Sequence, residues 1–370
     1  MPRLTPHEIA SGIVLGHVAA PAAETDAHRR RSPLDALEAA VLPALRRAPC
    51  VVSFSGGLDS SLVLATAVRV ARREGLAEPI PVTWRFAGAP RADESAWQEQ
   101  VIRALGIESW QILHADDDLD LVGPVARRVM RGYGLVHPAN LHLHLPIVEL
   151  AAGGALLTGA GGDQVLQGWR RPALPWHRAL RRMAGRARRP RADLFPWLHP
   201  EISRRLGAGY RAEVRREPRR LGERIFWHTG RRDLALTRSG LDLIAAGHGA
   251  TVVHPLLDER FRSTLITHAG HRSGVRRDEL LAYIAGGELP AVITAPRRKA
   301  RFLEVFLRAP TRQFTSTWDG TGADESLVDV AALRRLWSSW PIPPGTASLV
   351  QHLWLATNPA GPTVASERQS

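Results

Sequence analysis

The sequence predicts an α/β fold: a parallel sheet with flanking helices, followed by a mostly helical C-terminal part. Three observations carry that reading. Short β-prone runs alternate with helix-forming segments from residue 50 to residue 158, at the spacing that right-handed strand–helix–strand crossovers need. The first and fourth of these runs each lead into a glycine-rich turn. After residue 165 strand signals fade, and the chain reads as helical and loop-rich.

Taken in order, residues 1–48 hold Pro, Ala and Arg runs around a helix predicted at Leu34–Arg47, and read as an N-terminal extension. The domain proper is expected to span 49–356. Residues 50–54 form the first strand, and the mostly apolar Leu62–Val70 a buried helix that ends near Gly75. Residues 80–86 (Ile-Pro-Val-Thr-Trp-Arg-Phe) give the second strand. Asp93 is an N-cap candidate for a helix that runs to Leu105 and stops at Gly106, since a short acceptor side chain suits a helix start and glycine a helix end. Ser109–His114 is the third strand and Leu119–Arg131 the next helix. Pro146 suits the start of a short helix, Ile147–Ala152, closed by Gly153 and Gly154, because proline lacks the N–H that a first turn leaves unpaired. Ala155–Thr158 is the fourth strand. Residues 357–370 read as a disordered tail, and no internal repeat is visible.

Composition narrows the function classes. The 370 residues, 44% of them hydrophobic, suffice for one large α/β domain or two smaller ones. The single cysteine, Cys50, excludes an internal disulfide framework and any Cys-x-x-Cys metal or sulfur-relay site. No apolar run approaches the roughly 18–20 residues that span a bilayer, and Glu8 and His17 interrupt any signal peptide; a reducing cytoplasm is the expected setting. The net charge of +13 comes mostly from arginine, concentrated at Arg29–Arg31 and between Arg170 and Arg232. Such clusters attract nucleic acid or acidic peptides, but arginine so outnumbers lysine that compositional bias is the preferred explanation, and no nucleic-acid partner is expected.

The chemistry concentrates at Val51–Ser61, where the first strand runs through Phe54 into Ser55-Gly56-Gly57-Leu58-Asp59-Ser60. Gly56 and Gly57 let the backbone curl so that several N–H groups converge, and the following helix adds its positive end. Asp59 would repel phosphate unless a cation lies between, so the turn reads as a cradle for Mg²⁺-bound pyrophosphate. Its pattern is that of the ATP pyrophosphatase loop, Ser-Gly-Gly-x-Asp-Ser; no Gly-Lys-Ser/Thr follows, which sets it apart from the Walker loop. In an open parallel sheet, ligands sit beyond the C-terminal strand ends. The fourth strand delivers a second turn to that edge, Thr158-Gly159-Ala160-Gly161-Gly162-Asp163. Asp59 and Asp163 together make a Mg²⁺ clamp, each giving one oxygen while phosphate and water supply the rest.

With these two turns the chain resembles the synthetase domain of the asparagine synthetase B family, a group that includes β-lactam synthetases and lasso-peptide cyclases. Its third element stands here as Pro255-Leu256-Leu257-Asp258, and its fourth as Leu289-Pro290 followed by Arg297-Arg298-Lys299. The resemblance implies an adenine-nucleotide α-hydrolase-like fold and ATP with Mg²⁺. Ser55, Gly56, Gly57, Asp59 and Ser60 would hold pyrophosphate. Phe54, Phe86 and Thr158-Gly159 would line adenine and ribose, with Gly162 and Asp163 completing the second turn. Lys299 would act on the α-phosphate and the tetrahedral intermediate, a role in which a cation meets developing negative charge. Glu325–Asp329 and Leu349–Leu355, with Trp354, look most like the lasso-cyclase branch.

Two departures stand out. Where the family carries Glu or Tyr, this chain has Ala160, which cannot move a proton; His137, His142 and His144 lie shortly upstream and are candidate substitutes. The cysteine-led glutaminase domain of glutamine-dependent members is not seen, and Cys50 lies beside the phosphate loop. The nitrogen is then expected from free ammonia, a partner protein or a substrate's own amine.

The leading expectation is an ATP-dependent, AMP-forming amide ligase acting on a carboxylate and an amine, with peptide macrocyclisation the preferred subclass. A leader-binding or protease partner is conceivable through the Arg170–Arg191 run. The alternatives are a tRNA-modifying ATP pyrophosphatase and a degenerate paralogue that binds nucleotide or peptide without turnover.

Overall fold

The protein's computed structural model describes residues 3–18, 31–166, 194–272 and 275–359. The Arg170–Arg191 run, Arg29 and Arg30, and residues 360–370 of the expected tail lie outside the described residues. The described order is α1 (Pro6–Ser11), α2 (Pro33–Leu45), β1 (Cys50–Ser53), α3 (Leu58–Glu74), β2 (Ile80–Phe86), α4 (Ser95–Leu105), β3 (Gln111–Ala115), α5 (Pro124–Tyr133), α6 (Leu145–Leu150), β4 (Ala155–Leu157) and α7 (Gly162–Leu166). It continues with α8 (Pro200–Arg216), α9 (Leu221–Thr229), α10 (Arg232–Ala246), β5 (Thr251–Val253), α11 (Glu259–Ala269), α12 (Arg277–Ala285), α13 (Ala291–Thr294), α14 (Leu303–Phe306), α15 (Ala309–Thr317), α16 (Val330–Trp337) and α17 (Ala347–Thr357).

The sheet is parallel throughout, in the order β3-β2-β1-β4-β5. Strand order grows in one direction from β1 to β3 and then jumps to β4 on the other side of β1. The crevice of an open α/β sheet opens at that reversal, so the loops after β1 and β4 emerge side by side. Val51 pairs with Leu156, and Val52 with Leu157. Side chains alternate across the sheet. Val51, Val82, Ala115 and Leu156 enter the core on one face, and Cys50, Val52, Phe54, Ala155 and Leu157 the core on the other. Helices cover both.

The four expected strands and the predominantly helical C-terminal part are present. β5, within the stretch read as helical, is an addition: three residues on the edge of the sheet, paired only with β4. So short a run has too little alternation to stand out in sequence. The expected helix over Leu119–Arg131 begins instead at Pro124, because Asp120 holds the preceding residues in turns: its carboxylate accepts from the Val122 N–H at 2.9 Å and the Thr311 hydroxyl at 2.6 Å. The short helix after it starts one residue before Pro146, at Leu145, and follows a 3₁₀ turn over Ala139–His144.

The helix within residues 1–48 is part of the core. Leu34, Leu37, Val41 and Leu45 of α2 are buried together with residues of α3 and α11. The segments read as lasso-cyclase-like have structural duties: Val328 bridges Leu198, Asp329 caps α16, and Gln351 donates to the Leu121 and Ala139 carbonyls at 3.0 and 2.8 Å. Among the described residues no helix is long and apolar enough to cross a membrane.

Candidate active site

The loop after β1 is fixed by its own small side chains. Gly56 adopts φ +91°, a left-handed conformation that L side chains rarely enter, and Gly57 is extended at the N-cap of α3. Helix α3 therefore starts at Leu58, ahead of the Leu62–Val70 stretch read as helix in the sequence, and Asp59 and Ser60 fall in its first turn. The Ser55 and Ser60 hydroxyls lie 3.1 Å apart, the Ser60 hydroxyl accepts from the Ser55 N–H at 3.2 Å, and the Ser55 hydroxyl accepts from the Gly57 N–H at 3.1 Å. The first-turn N–H groups of a 17-residue helix lack intrahelical acceptors and face this turn.

Arg297 clamps the loop from outside. Its Nη1 donates to the Gly56 carbonyl and, at 3.2 Å, to the Ser61 hydroxyl; Nη2 donates to the Val292 carbonyl at 2.6 Å. The guanidinium stacks 4.5 Å from the centre of the Trp97 ring. Gln98 adds a 2.9 Å bond to the Ser55 carbonyl. Of the three basic residues in the fourth motif, Arg297 thus holds the loop and Lys299 faces the cleft.

The second turn packs directly on the first. A Cβ on Gly162 would overlap the Asp59 carboxyl, and one on Gly159 would stand 3.0 Å from the Ser60 nitrogen. Gly161, at φ +90°, sits over the Leu257 side chain. That contact and the helix cap formed by Asp258, which accepts from Phe261 N–H at 3.0 Å, explain Pro255–Asp258 as a support beneath the turn. Thr158 ties it to β5: its hydroxyl lies 2.7 Å from His254 Nδ1 and accepts from the Ala160 N–H at 3.2 Å.

Asp59 and Asp163 converge. Arg277, the first residue of α12, reaches Asp59 with Nη2 and Asp163 with Nη1, the latter at 3.3 Å. Lys299 Nζ lies 2.7 Å from Asp163 Oδ2. Burial pushes the Asp59 carboxyl up, while Arg277 pulls it down. Two carboxylates with no third acidic or imidazole ligand suit an ion that takes its other oxygens from phosphate and water, and among the described residues no group of three such side chains is poised to hold a metal alone.

From this charged end the cleft continues into an apolar cavity of about 320 Å³, walled by Phe54, Val82, Trp84, Phe86, Leu143 and Phe302 among others, with Thr158, Gly159 and Ala160 at its floor. Phe54 is almost fully buried, with its N–H on the Val82 carbonyl and its own carbonyl accepting from Thr83 Oγ1. Phe86 meets Phe302 edge to face at 5.8 Å. Ser55, Gly57, Asp59, Glu94 and Phe302 border both halves of the cleft. Every residue proposed from sequence for nucleotide, ion or lysine chemistry therefore sits in or against one cleft.

Of the three upstream histidines, only His144 lines the main cavity. His142 is buried with both ring nitrogens against backbone carbonyls, Ala139 at 3.0 Å and Leu119 at 2.9 Å. His137 borders neighbouring cavities. Sequence reasoning missed Arg277, Glu94 and His254. Arg277 is one of 49 basic residues and carries no distinguishing motif. Glu94, directly after the proposed cap Asp93, is buried against Gly56 and Gly57, and burial raises its carboxyl to about 7. Cys50 is buried in β1 with its thiol pushed up to about 12, which makes it an inert core residue.

No curated protein matches the sequence. The asparagine synthase family matches it over residues 34–360, from the second residue of the core-forming α2 to beyond α17. With that match covering most of the chain, both glycine-rich turns and Lys299 meeting at one cleft, and Pro255–Asp258 packed beneath, this protein belongs to the asparagine synthase family of ATP-dependent amide ligases.

Proposed function

We propose that this protein adenylates a carboxylate with ATP, releases pyrophosphate, and passes the acyl group to an amine with release of AMP, and that it does so in closing a ring within a modified peptide. One observation carries the reading: carboxylates from the first turns of α3 and α7 share the guanidinium of Arg277, and the same cleft opens into an apolar cavity. The charged half suits a triphosphate and the apolar half an adenine ring with an acyl chain.

In this reading the α3 N-terminus and the Ser55–Ser60 loop bind the pyrophosphate portion. Asp59 and Asp163 are the residues that would hold Mg²⁺, which when bound supplies positive charge against the leaving pyrophosphate. Lys299, whose ammonium reaches Asp163, moves its charge to the α-phosphate as negative charge develops there. Arg297 keeps the loop in register, and Arg277 balances the two carboxylates before the ion-bound nucleotide arrives.

A peptide substrate is favoured by the extent of the space. Asn140, Phe302 and Phe306 wall the main cavity and also a second one of about 310 Å³ bordered by Leu121, His137 and Pro344. A single amino acid needs far less room. The natural setting proposed is the cytoplasm, with a peptide-processing partner.

The test supplies ATP, Mg²⁺ and candidate linear peptides bearing a side-chain or C-terminal carboxylate, and follows AMP, pyrophosphate and a product lighter by one water. AMP formation tied to ring closure supports the proposal. Phosphate with ADP, or AMP formed only with tRNA present, would replace it.

A further inference from the structure

We propose that His144 is the catalytic base of the amide-forming half-reaction, taking the proton that the attacking amine sheds; this rests on the ligase reading above. The chemistry demands such a group. The amine's lone pair forms a bond to the acyl carbon, the carbon–oxygen bond to phosphate breaks, and that electron pair leaves with AMP. The nitrogen must then lose one proton, which needs an acceptor in the acyl chamber.

The candidates there are few. Ala160 contributes only a methyl group to the chamber floor. His142 has both nitrogens against carbonyls. His254 is held by Thr158 and does not line the cavity. Glu94 borders the chamber as well, but at its boundary with the charged half, where its carboxyl packs against Gly57 of the phosphate loop. His144 shares the chamber with Ala160, Thr158 and Thr237.

Its ring is also prepared for the task. Nδ1 lies 3.3 Å from the Leu141 carbonyl. A carbonyl only accepts, so Nδ1 carries the proton and Nε2 keeps its lone pair as the ring's acceptor. Burial lowers the imidazole to about 4, so the ring is neutral throughout the neutral pH range. The anionic charge of a bound adenylate then raises its basicity during turnover. As the last residue of the 3₁₀ segment and the residue directly before α6, it sits on ordered backbone.

The experiment uses the full chain and a preformed probe, hexanoyl adenylate, with AMP release measured near about pH 8 for two nucleophiles, butylamine and hydroxylamine. Hydroxylamine attacks as a neutral species and depends little on a base. His144→Asn keeps a donor for the Leu141 carbonyl and removes the basic ring nitrogen, since an amide oxygen does not take up a proton near neutral pH. The expected result is a loss of about 100-fold or more in butylamine-dependent release, with the hydroxylamine rate within about threefold of the parent's. Equal butylamine rates in variant and parent would overturn the role of His144 and leave the ligase reading intact. Failure of the parent protein to accelerate either nucleophile would overturn both.

Discussion

Arg277 and Asp59 form the closest ionic contact in the cleft, and the same guanidinium reaches Asp163 at 3.3 Å. One cation from α12 therefore holds together two acidic side chains contributed by the first turns of α3 and α7, distant in sequence. Arg277→Ala leaves those carboxylates facing each other, with the exposed Lys299 and the loop-bound Arg297 as cations that still act on them. The expected cost is about 1–2 kcal/mol, read as a lower unfolding midpoint in chelator. Added Mg²⁺ should raise the midpoint of the variant more than that of the parent.

Gly162 has no room for a side chain, because a Cβ there would overlap the Asp59 carboxyl. Gly162→Ala is expected to displace Asp59 and lower AMP formation by about 100-fold, since misplaced charge in a preorganised site is costly. Circular dichroism should be unchanged. Normal turnover in a folded variant would show that the Asp59 position is not demanding.

Lys299 is two-thirds exposed and bonded to Asp163, so its removal should cost little stability. Lys299→Ala is expected to lose about 100- to 1,000-fold in AMP formation with an unfolding midpoint within about 1 °C of the parent's. A large fall in the midpoint would assign Lys299 a structural role instead.

Glu94 makes stability depend on pH. Its carboxyl titrates near 7 in the folded protein against an ordinary 4.5. The folded state thus holds this proton more tightly than the unfolded chain does. The contribution is complete below the ordinary value and disappears as pH rises through about 7. Glu94→Gln cannot ionise, so relative to the parent it should gain up to about 3 kcal/mol near about pH 9, and the gain should nearly vanish near about pH 4. Denaturant titrations at the two pH values check the sign; a gain that is the same at both would refute it.

Much of this was legible in one dimension. β1, β2, the glycine stops at Gly75 and Gly106, and both glycine-rich turns have local causes: β-prone runs, left-handed glycines, caps. The four motifs are legible for the same reason, since a loop that bends around phosphate needs particular residues at fixed short spacing. The edge strand β5 and the start of α5 were not, because pairing with β4 and the turns around Asp120 decide them. The place of α2 in the core likewise depends on the faces of α3 and α11 that it meets.

What the sequence by itself determined is the chemistry available: a curled anion-binding loop, two carboxylates, a lysine, and an alanine where a proton carrier would serve. What only the tertiary structure decided is which charges meet. Among the described residues Arg277 spans the two acids, Arg297 grips the loop while Lys299 faces the cleft, and His144, unlike His142, has only one ring nitrogen against a backbone carbonyl. Backbone conformation follows from neighbours a few residues away, whereas an ion pair or a tautomer is set by groups that only folding brings within about 3 Å.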